Sequence, residues 1–157
     1  SDTLSNFENL TGSDLNDRLT GSSGINIING GKGDDIITGG GGADVLWGGA
    51  GSDLFDFNSV SETGNSASAR DVIMDFQQGT DRIDLSTIDA SSARRGNNVF
   101  LFQGSATSFG TSADGEIRYV HENGMTVIYG DTDRDSTPEF QIALDGIYTL
   151  TSADFIL

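Results

Sequence analysis

Large apolar residues recur every nine positions at the start of the chain: Leu10, Leu19, Ile28, Ile37, Leu46 and Phe55. That period is neither the 2 of a strand nor the 3.6 of a helix, so it marks a stacked repeat in which each unit supplies one inward residue. Each apolar residue is the middle of a three-residue run, short enough to be a strand with a single side chain facing the core. After Asp56 the nine-residue beat stops. Residues 57–70 are small and polar and read as a loop. Strand chemistry then returns in 71–76, 81–85, 98–102, 116–120, 125–129, 140–144 and 153–157. Asn123-Gly124 reads as a hairpin turn between two of these runs. Residues 86–97 leave room for a short helical turn, but no window carries a long amphipathic helix. The pattern predicts an all-β chain in two parts: a repeat region over 1–56 and a β cap over 57–157.

The residues between the apolar positions are as regular as the positions themselves. Gly30-Gly31-Lys32-Gly33-Asp34-Asp35-Ile36-Ile37-Thr38, Gly39-Gly40-Gly41-Gly42-Ala43-Asp44-Val45-Leu46-Trp47 and Gly48-Gly49-Ala50-Gly51-Ser52-Asp53-Leu54-Phe55-Asp56 all fit G-G-x-G-x-D-x-U-x, with U a large apolar residue. Glycines at positions one, two and four let carbonyls crowd together, and position six adds a carboxylate. Such hard oxygen donors in a flexible turn suit Ca²⁺ better than a transition metal.

Two degenerate copies precede these three. Gly21-Ser22-Ser23-Gly24-Ile25-Asn26-Ile27-Ile28-Asn29 carries Asn26 for the acid. Gly12-Ser13-Asp14-Leu15-Asn16-Asp17-Arg18-Leu19-Thr20 has Leu15 where glycine is expected. Two nonapeptides complete a coil, so each turn stacks on the turn 18 residues away. Position-six residues then pair as Asp17 with Asp35, Asn26 with Asp44, and Asp35 with Asp53, giving three sandwiched cation sites. The Asn26 site should be the weaker, since an amide oxygen has no charge. Glu62 and Asp71 fall at the same interval beyond Asp44 and Asp53.

Composition adds a physical constraint. The chain carries 24 Asp and Glu against 8 Lys and Arg, a net charge of −16. That charge repels nucleic acid and anionic membrane. Crowded carboxylates also repel one another, so the metal-free turns are expected to be unfolded or molten. Cysteine is absent, which leaves metal as the staple. No segment reaches transmembrane length, and no secretory signal pattern stands at the N-terminus.

The repeats resemble the calcium-binding nonapeptides of RTX proteins. The segment Asp71-x-Ile73-x-Asp75-Phe76-x-x-Gly79-x-Asp81-x-Ile83-Asp84-Leu85 and the Asp154-Phe155-Ile156-Leu157 ending resemble the C-terminal domain of serralysin-type metalloproteases and the R-modules of mannuronan epimerases. The resemblance implies a right-handed parallel β-roll capped by antiparallel strands. It implies several Ca²⁺ ions, with Asp71, Asp81 and, less directly, Glu62 among the ligands of end sites, for roughly 4–6 ions in all. It further implies a secreted, extracellular module at the C-terminus of a larger parent protein, exported by a type I secretion transporter that reads the terminal residues.

The remaining chemistry is sparse. His121 is the only histidine, no His-Glu-x-x-His helix exists, and no serine has triad partners by local motif, so no catalytic residue is expected. His121 reads as an exposed strand residue. Asp131-Thr132-Asp133-Arg134-Asp135 alternates carboxylates as a calcium loop does, but lacks the glycine and the bidentate acid of an EF-hand. It reads as a polar turn, with a weak extra site involving Glu139 as the alternative. Trp47 and the position-seven residues Ile27, Ile36, Val45 and Leu54 point outward and are expected to be covered by the C-terminal half. An acidic-polysaccharide face, with Arg94, Arg95 and Arg118 as its basic groups, is the competing reading. The expectation is a non-catalytic, calcium-folded RTX module carrying an export signal. The alternatives are a polysaccharide-binding R-module of an epimerase or glycanase, and the terminus of an adhesin.

Overall fold

The structure, a computed structural model, describes residues 8–91, 96–110, 115–133 and 135–157. The nonapeptides form a parallel roll. Strands β1 (Asn9–Thr11), β3 (Ile27–Lys32) and β5 (Val45–Ala50) lie in one sheet, and β2 (Arg18–Thr20), β4 (Ile36–Thr38) and β6 (Leu54–Asp56) in the other. Successive repeats alternate between the sheets, so the 18-residue coil appears in the pairing: Leu10 opposite Ile28, Ile28 opposite Leu46, Leu19 opposite Ile37, Ile37 opposite Phe55. The position-eight residues form two facing columns, and Ile28, Ile37, Leu46 and Phe55 are fully buried.

The sheets do not stop where the glycine repeats stop. β7 (Asp71–Ile73) pairs in parallel with β5, and β8 (Arg82–Asp84) with β6, so Ile73 continues the column of Leu46 and Ile83 that of Phe55. The first sheet then runs on through β12 (Phe140–Asp145), β11 (Met125–Asp131), β10 (Glu116–Glu122) and β9 (Leu101–Phe102). The β10–β11–β12 part is antiparallel, while β12 joins β7 in parallel. The second sheet ends on β13 (Phe155–Ile156), which pairs in parallel with β8 and places Phe155 opposite Ile83. One hydrophobic cluster joins residues from both parts of the chain, including Ile37, Phe55, Ile73, Ile117, Phe140 and Phe155.

The expected strands are present with shifted bounds: those at 71–76, 81–85, 98–102 and 153–157 are shorter, while β10, β11 and β12 run past 120, 129 and 144. Asn123 and Gly124 both take positive φ, 51° and 82°, and join Glu122 to Met125 as a two-residue hairpin loop. The run at 98–102 yields Leu101–Phe102, which pairs in parallel with Glu116 and Ile117 at the start of β10. The last run is split: a 3₁₀ turn over Ser152–Asp154 precedes β13, fixed by a capping box between Thr151 and Asp154. The loop at 57–70 is anchored more firmly than its polarity implies. Thr63 is buried, donates to the Gln141 carbonyl at 2.7 Å and accepts the Asp71 N–H at 2.9 Å, while Arg70 is buried against Glu122 and Gln141. On the outer faces Ile36, Val45, Leu54 and Trp47 are half-buried and Ile27 is exposed.

Candidate metal centre

A ladder of carboxylates runs up the roll at position six. One oxygen of each accepts the backbone N–H of the position-six residue in the coil below: Asp17 N–H to Asp35 Oδ1 at 2.8 Å, Asn26 to Asp44 at 2.8 Å, Asp35 to Asp53 at 2.9 Å. The ladder continues past the repeats. The Asp44 N–H donates to Asp71 Oδ1 at 2.8 Å and the Asp53 N–H to Asp81 Oδ1 at 3.0 Å.

These two rungs differ from the 18-residue expectation. The separations are 27 and 28 residues, so Asp71 stands over Asp44 instead of Asp53, and Asp81 stands over Asp53. The reason is the loop at 57–70, which leaves the second sheet after β6 and returns to the first sheet at β7. Glu62 is therefore no rung. Its Oε2 accepts the Asn58 N–H within its own loop, although its charge is near enough to raise the Asp44 and Asp71 carboxyls.

The second oxygen of each carboxylate separates the repeats into two groups. Asp35, Asp44, Asp53 and Asp71 are at most 2% exposed, and the Oδ2 of each is buried with no hydrogen-bond partner. A buried acceptor left this way costs roughly 1–3 kcal/mol, more if it is charged. Burial accordingly pushes the Asp44 and Asp53 carboxyls up to about 6 and the Asp71 carboxyl up to about 8, against the N–H bonds of Asn26, Asp35 and Asp44 that pull the other way. Burial also raises Asp81, whose Oδ2 accepts the Gln77 N–H at 2.8 Å.

The two degenerate repeats behave differently. Asp17 Oδ2 accepts both the N–H and the hydroxyl of Ser13, at 2.6 and 2.8 Å, and these bonds hold its carboxyl below the usual range. Asn26 Oδ1 accepts the same two groups of Ser22, at 2.7 and 3.3 Å.

The glycines frame the orphaned oxygens. A Cβ on Gly30 would lie 2.5 Å from the Gly48 carbonyl oxygen and closer still to Asp35 Oδ2. Position one thus brings that carboxylate and a carbonyl of the next coil to one point. Of the other expected ligands, Gly31, Gly40 and Gly49 at position two and Gly33, Gly42 and Gly51 at position four all take positive φ, between 87° and 146°. Ser13, Leu15, Ser22 and Gly24 do not, and Leu15 is 74% exposed. The turns around Asp35, Asp44 and Asp53 therefore present only oxygen donors, with buried acceptors lacking a donor. Such a set fits a hard divalent cation.

Asp75 belongs to this end of the roll and was not singled out from the sequence. Its carboxylate accepts the N–H groups of Gly48 and Gly49 at 2.8 and 2.9 Å, clamping the third glycine turn, and its charge raises Asp53 and Asp81. The signal available was its place in the Asp-x-Ile-x-Asp-Phe run, between two acids that match metal ligands.

Elsewhere, carboxylate oxygens of Asp131, Asp133 and Glu139 lie within 4.8 Å of one another, while Glu139 Oε2 also accepts the Thr132 N–H and hydroxyl. His121 is exposed on β10, with Nε2 2.8 Å from the Tyr148 carbonyl. Arg118 is held between the rings of Phe109 and Tyr129, its guanidinium carbon 4.7 Å from each centroid. Arg94 and Arg95 lie outside the described residues. Among the described residues no helix is long and apolar enough to cross a membrane.

Comparison with known proteins places this geometry. The model of the peptidase M10 serralysin C-terminal family matches residues 5–157. Over 106 residues, 66% of this chain, the sequence is 40% identical to serralysin A of Dickeya chrysanthemi. The chain spans 20% of that protein's length. Among solved structures it is similar to the AlgE6R3 subunit of the Azotobacter vinelandii mannuronan C5-epimerase, with a TM-score of 0.53 and 28% identity, covering 92% of this chain and 80% of that one. The AlgE6R2 subunit of the same epimerase gives a TM-score of 0.61 at 21% identity, with 94% and 91% covered, a likeness of fold.

Proposed function

Because the chain belongs to the peptidase M10 serralysin C-terminal family, we propose that this RTX-type module folds on extracellular Ca²⁺ as the non-catalytic end of a larger secreted protein, and that its last residues carry the type I export signal. The carrying observation is the row of buried Oδ2 atoms on Asp35, Asp44, Asp53 and Asp71, each without a donor. Bound calcium would supply the positive charge those oxygens lack, with the oxygens themselves as its ligands. Asp35, Asp44 and Asp53 would hold it together with the carbonyls of their glycine turns, and Asp71 and Asp81 at the end where the repeats give way to the cap.

The chain's own part is to hold the fold in reserve. Without cations, a net charge of −16 opposes bringing the turns together, and each coil buries only two large inward residues. Binding to the folded form alone stabilises it by about 4 kcal/mol at a thousandfold excess of free ion over the dissociation constant. Extracellular modules bind in the range of about 0.1–1 mM, so a cytosolic calcium level leaves the chain open and thin enough to thread a transporter.

Far-ultraviolet circular dichroism of the purified chain, with calcium and with chelator, tests the folding claim. A spectrum and melting curve unchanged once removal of the metal is verified would reject it. Export is tested separately, by a flexible tag fused after Leu157 in a host carrying a cognate transporter. The tag should block secretion while calcium-induced folding survives, and normal secretion of the tagged chain would remove the terminal-signal reading alone.

A second reading rests on the likeness to the AlgE6R3 subunit: a module that binds an acidic polysaccharide. Arg118, stacked between Phe109 and Tyr129, is the basic group it would use. Titration with uronate oligosaccharides, followed by the NMR shifts of those three residues, separates this role from a purely secretory one.

A further inference from the structure

We propose that Ser13 and Ser22 close the first coil of the roll without a cation, so that calcium binding begins at Asp35. This rests on the calcium reading above and assigns where along the ladder it applies. The repeat pattern alone would sandwich one ion between Asp17 and Asp35 and another between Asn26 and Asp44, because these pairs stack at the same 18-residue interval as Asp35 on Asp53.

Two independent features set the first coil apart. The first is hydrogen bonding. The side-chain oxygen that is orphaned at Asp35, Asp44 and Asp53 has two donors at Asp17 and Asn26, the N–H and hydroxyl of the serine four residues earlier. A hydroxyl and an amide aimed at that oxygen do locally what a cation does in the later turns. They satisfy the acceptor and occupy its lone pairs.

The second feature is the backbone. The later turns have positive φ at positions two and four, at Gly31 and Gly33, Gly40 and Gly42, Gly49 and Gly51, whereas Ser13, Leu15, Ser22 and Gly24 stay out of that region. Serine reaches positive φ only with strain, so it selects the closed turn and supplies the hydroxyl that seals it. Gly24 shows that glycine at position four is not sufficient to open the turn. The departure from consensus that the two degenerate turns share is a serine at position two, Ser13 in one and Ser22 in the other, facing the position-six oxygen. The serines therefore select which turns take a divalent cation, and the first coil is a metal-independent end to the roll.

The test counts ions on the whole chain by native mass spectrometry and calorimetric titration with CaCl₂. Asp17→Asn should keep the wild-type number of ions and change affinity less than about twofold, since an amide oxygen still accepts from Ser13. Asp35→Asn should lose one ion. The double substitution Ser22→Gly with Asn26→Asp completes the second repeat and should gain one ion, a result that stands even if Asp35→Asn fails to fold. Loss of an ion from Asp17→Asn, or an unchanged count in the double variant, overturns the assignment while leaving calcium binding intact. A wild-type chain that binds no calcium removes both the calcium reading and this one.

Discussion

Asp81 stands directly over Asp53, accepting its backbone N–H at 3.0 Å across 28 residues, and so adds a rung to the carboxylate ladder after the glycine repeats have ended. Its other oxygen accepts the Gln77 N–H, which ties the rung to the turn before β8.

Removing that side chain should therefore weaken calcium-dependent folding. Asp81→Ala takes away two charge-assisted hydrogen bonds as well as a charge, each bond worth about 1.5–3 kcal/mol. The calcium midpoint of folding, read by circular dichroism, is expected to rise at least tenfold. Asp145→Ala, an exposed carboxylate at the end of β12, should leave the midpoint within about twofold. Equal midpoints for the two variants would contradict a ladder that continues to Asp81.

Glycine substitutions should separate strain from collision. Gly51 and Gly79 both have positive φ, 146° and 83°. A Cβ on Gly51 would overlap the Gly33 carbonyl oxygen, backbone that cannot move without parting two coils, whereas one on Gly79 meets nothing within 4 Å. Gly79→Ala should cost about 1–2 kcal/mol, the strain of the left-handed backbone. Gly51→Ala should prevent calcium-induced folding or lower the melting temperature far more. Similar melting curves for the pair would show that the coils do not pack as closely as this geometry requires.

Acid should act in opposite directions on the two forms. In the metal-free fold, burial raises Asp44 and Asp53 to about 6 and Asp71 to about 8, above the ordinary value of 3.8. The folded state then holds more protons than the unfolded one, so its metal-free stability falls as pH rises from about 4 to about 8. Calcium needs those carboxylates ionised, and a group titrating near 6 weakens binding about tenfold at pH 5. In chelator the β signal should grow on acidification from pH 8 to 5, while the calcium midpoint moves upward. A chelator-treated chain whose β signal shrinks over that range would reverse the sign and refute the argument.

The last strand, β13, should matter for packing. Phe155 is 2% exposed, pairs opposite Ile83 and packs 5.3 Å from the Phe102 ring centroid. Phe155→Ala is expected to cost about 3–5 kcal/mol of stability in calcium, measured by denaturant titration. Deleting residues 154–157 should cost more, since it also removes the Asp154 cap on Thr151 and its bond from Gln78. A truncated chain as stable as the full one would show that β13 is no structural rung.

The roll was legible because one residue type at a fixed interval did one thing: Ile28, Ile37, Leu46 and Phe55 had no reason for a nine-residue beat other than stacked coils. The hairpin at Asn123-Gly124 was legible for a similarly local reason, two residues able to take positive φ between strand-forming runs. The rung partners of Asp44 and Asp53 were not, because a loop of unknown path breaks the arithmetic, and only the fold shows that Thr63 and Arg70 steer the chain back to β7 through Gln141. The role of Ser13 and Ser22 was hidden for another reason. A serine in a glycine position reads as decay of a motif until its hydroxyl is seen on Asp17 or Asn26. Asp75 was visible as a motif residue, but nothing in its spacing announced that it clamps Gly48 and Gly49.

Alternation of the repeats between two sheets also gives the chain a grammar of length. A segment of 18 residues, such as 30–47, is one whole coil, and its removal would shorten each sheet by a strand while leaving every later strand on its own side. A segment of nine is half a coil, and its removal would hand each later strand to the opposite sheet, setting β7 against β4 or β6 and stranding the meander beyond it. Lengthening or shortening by evolution or by design is therefore restricted to even numbers of nonapeptides, a parity rule that the calcium-dependent circular dichroism of the two deletions would check.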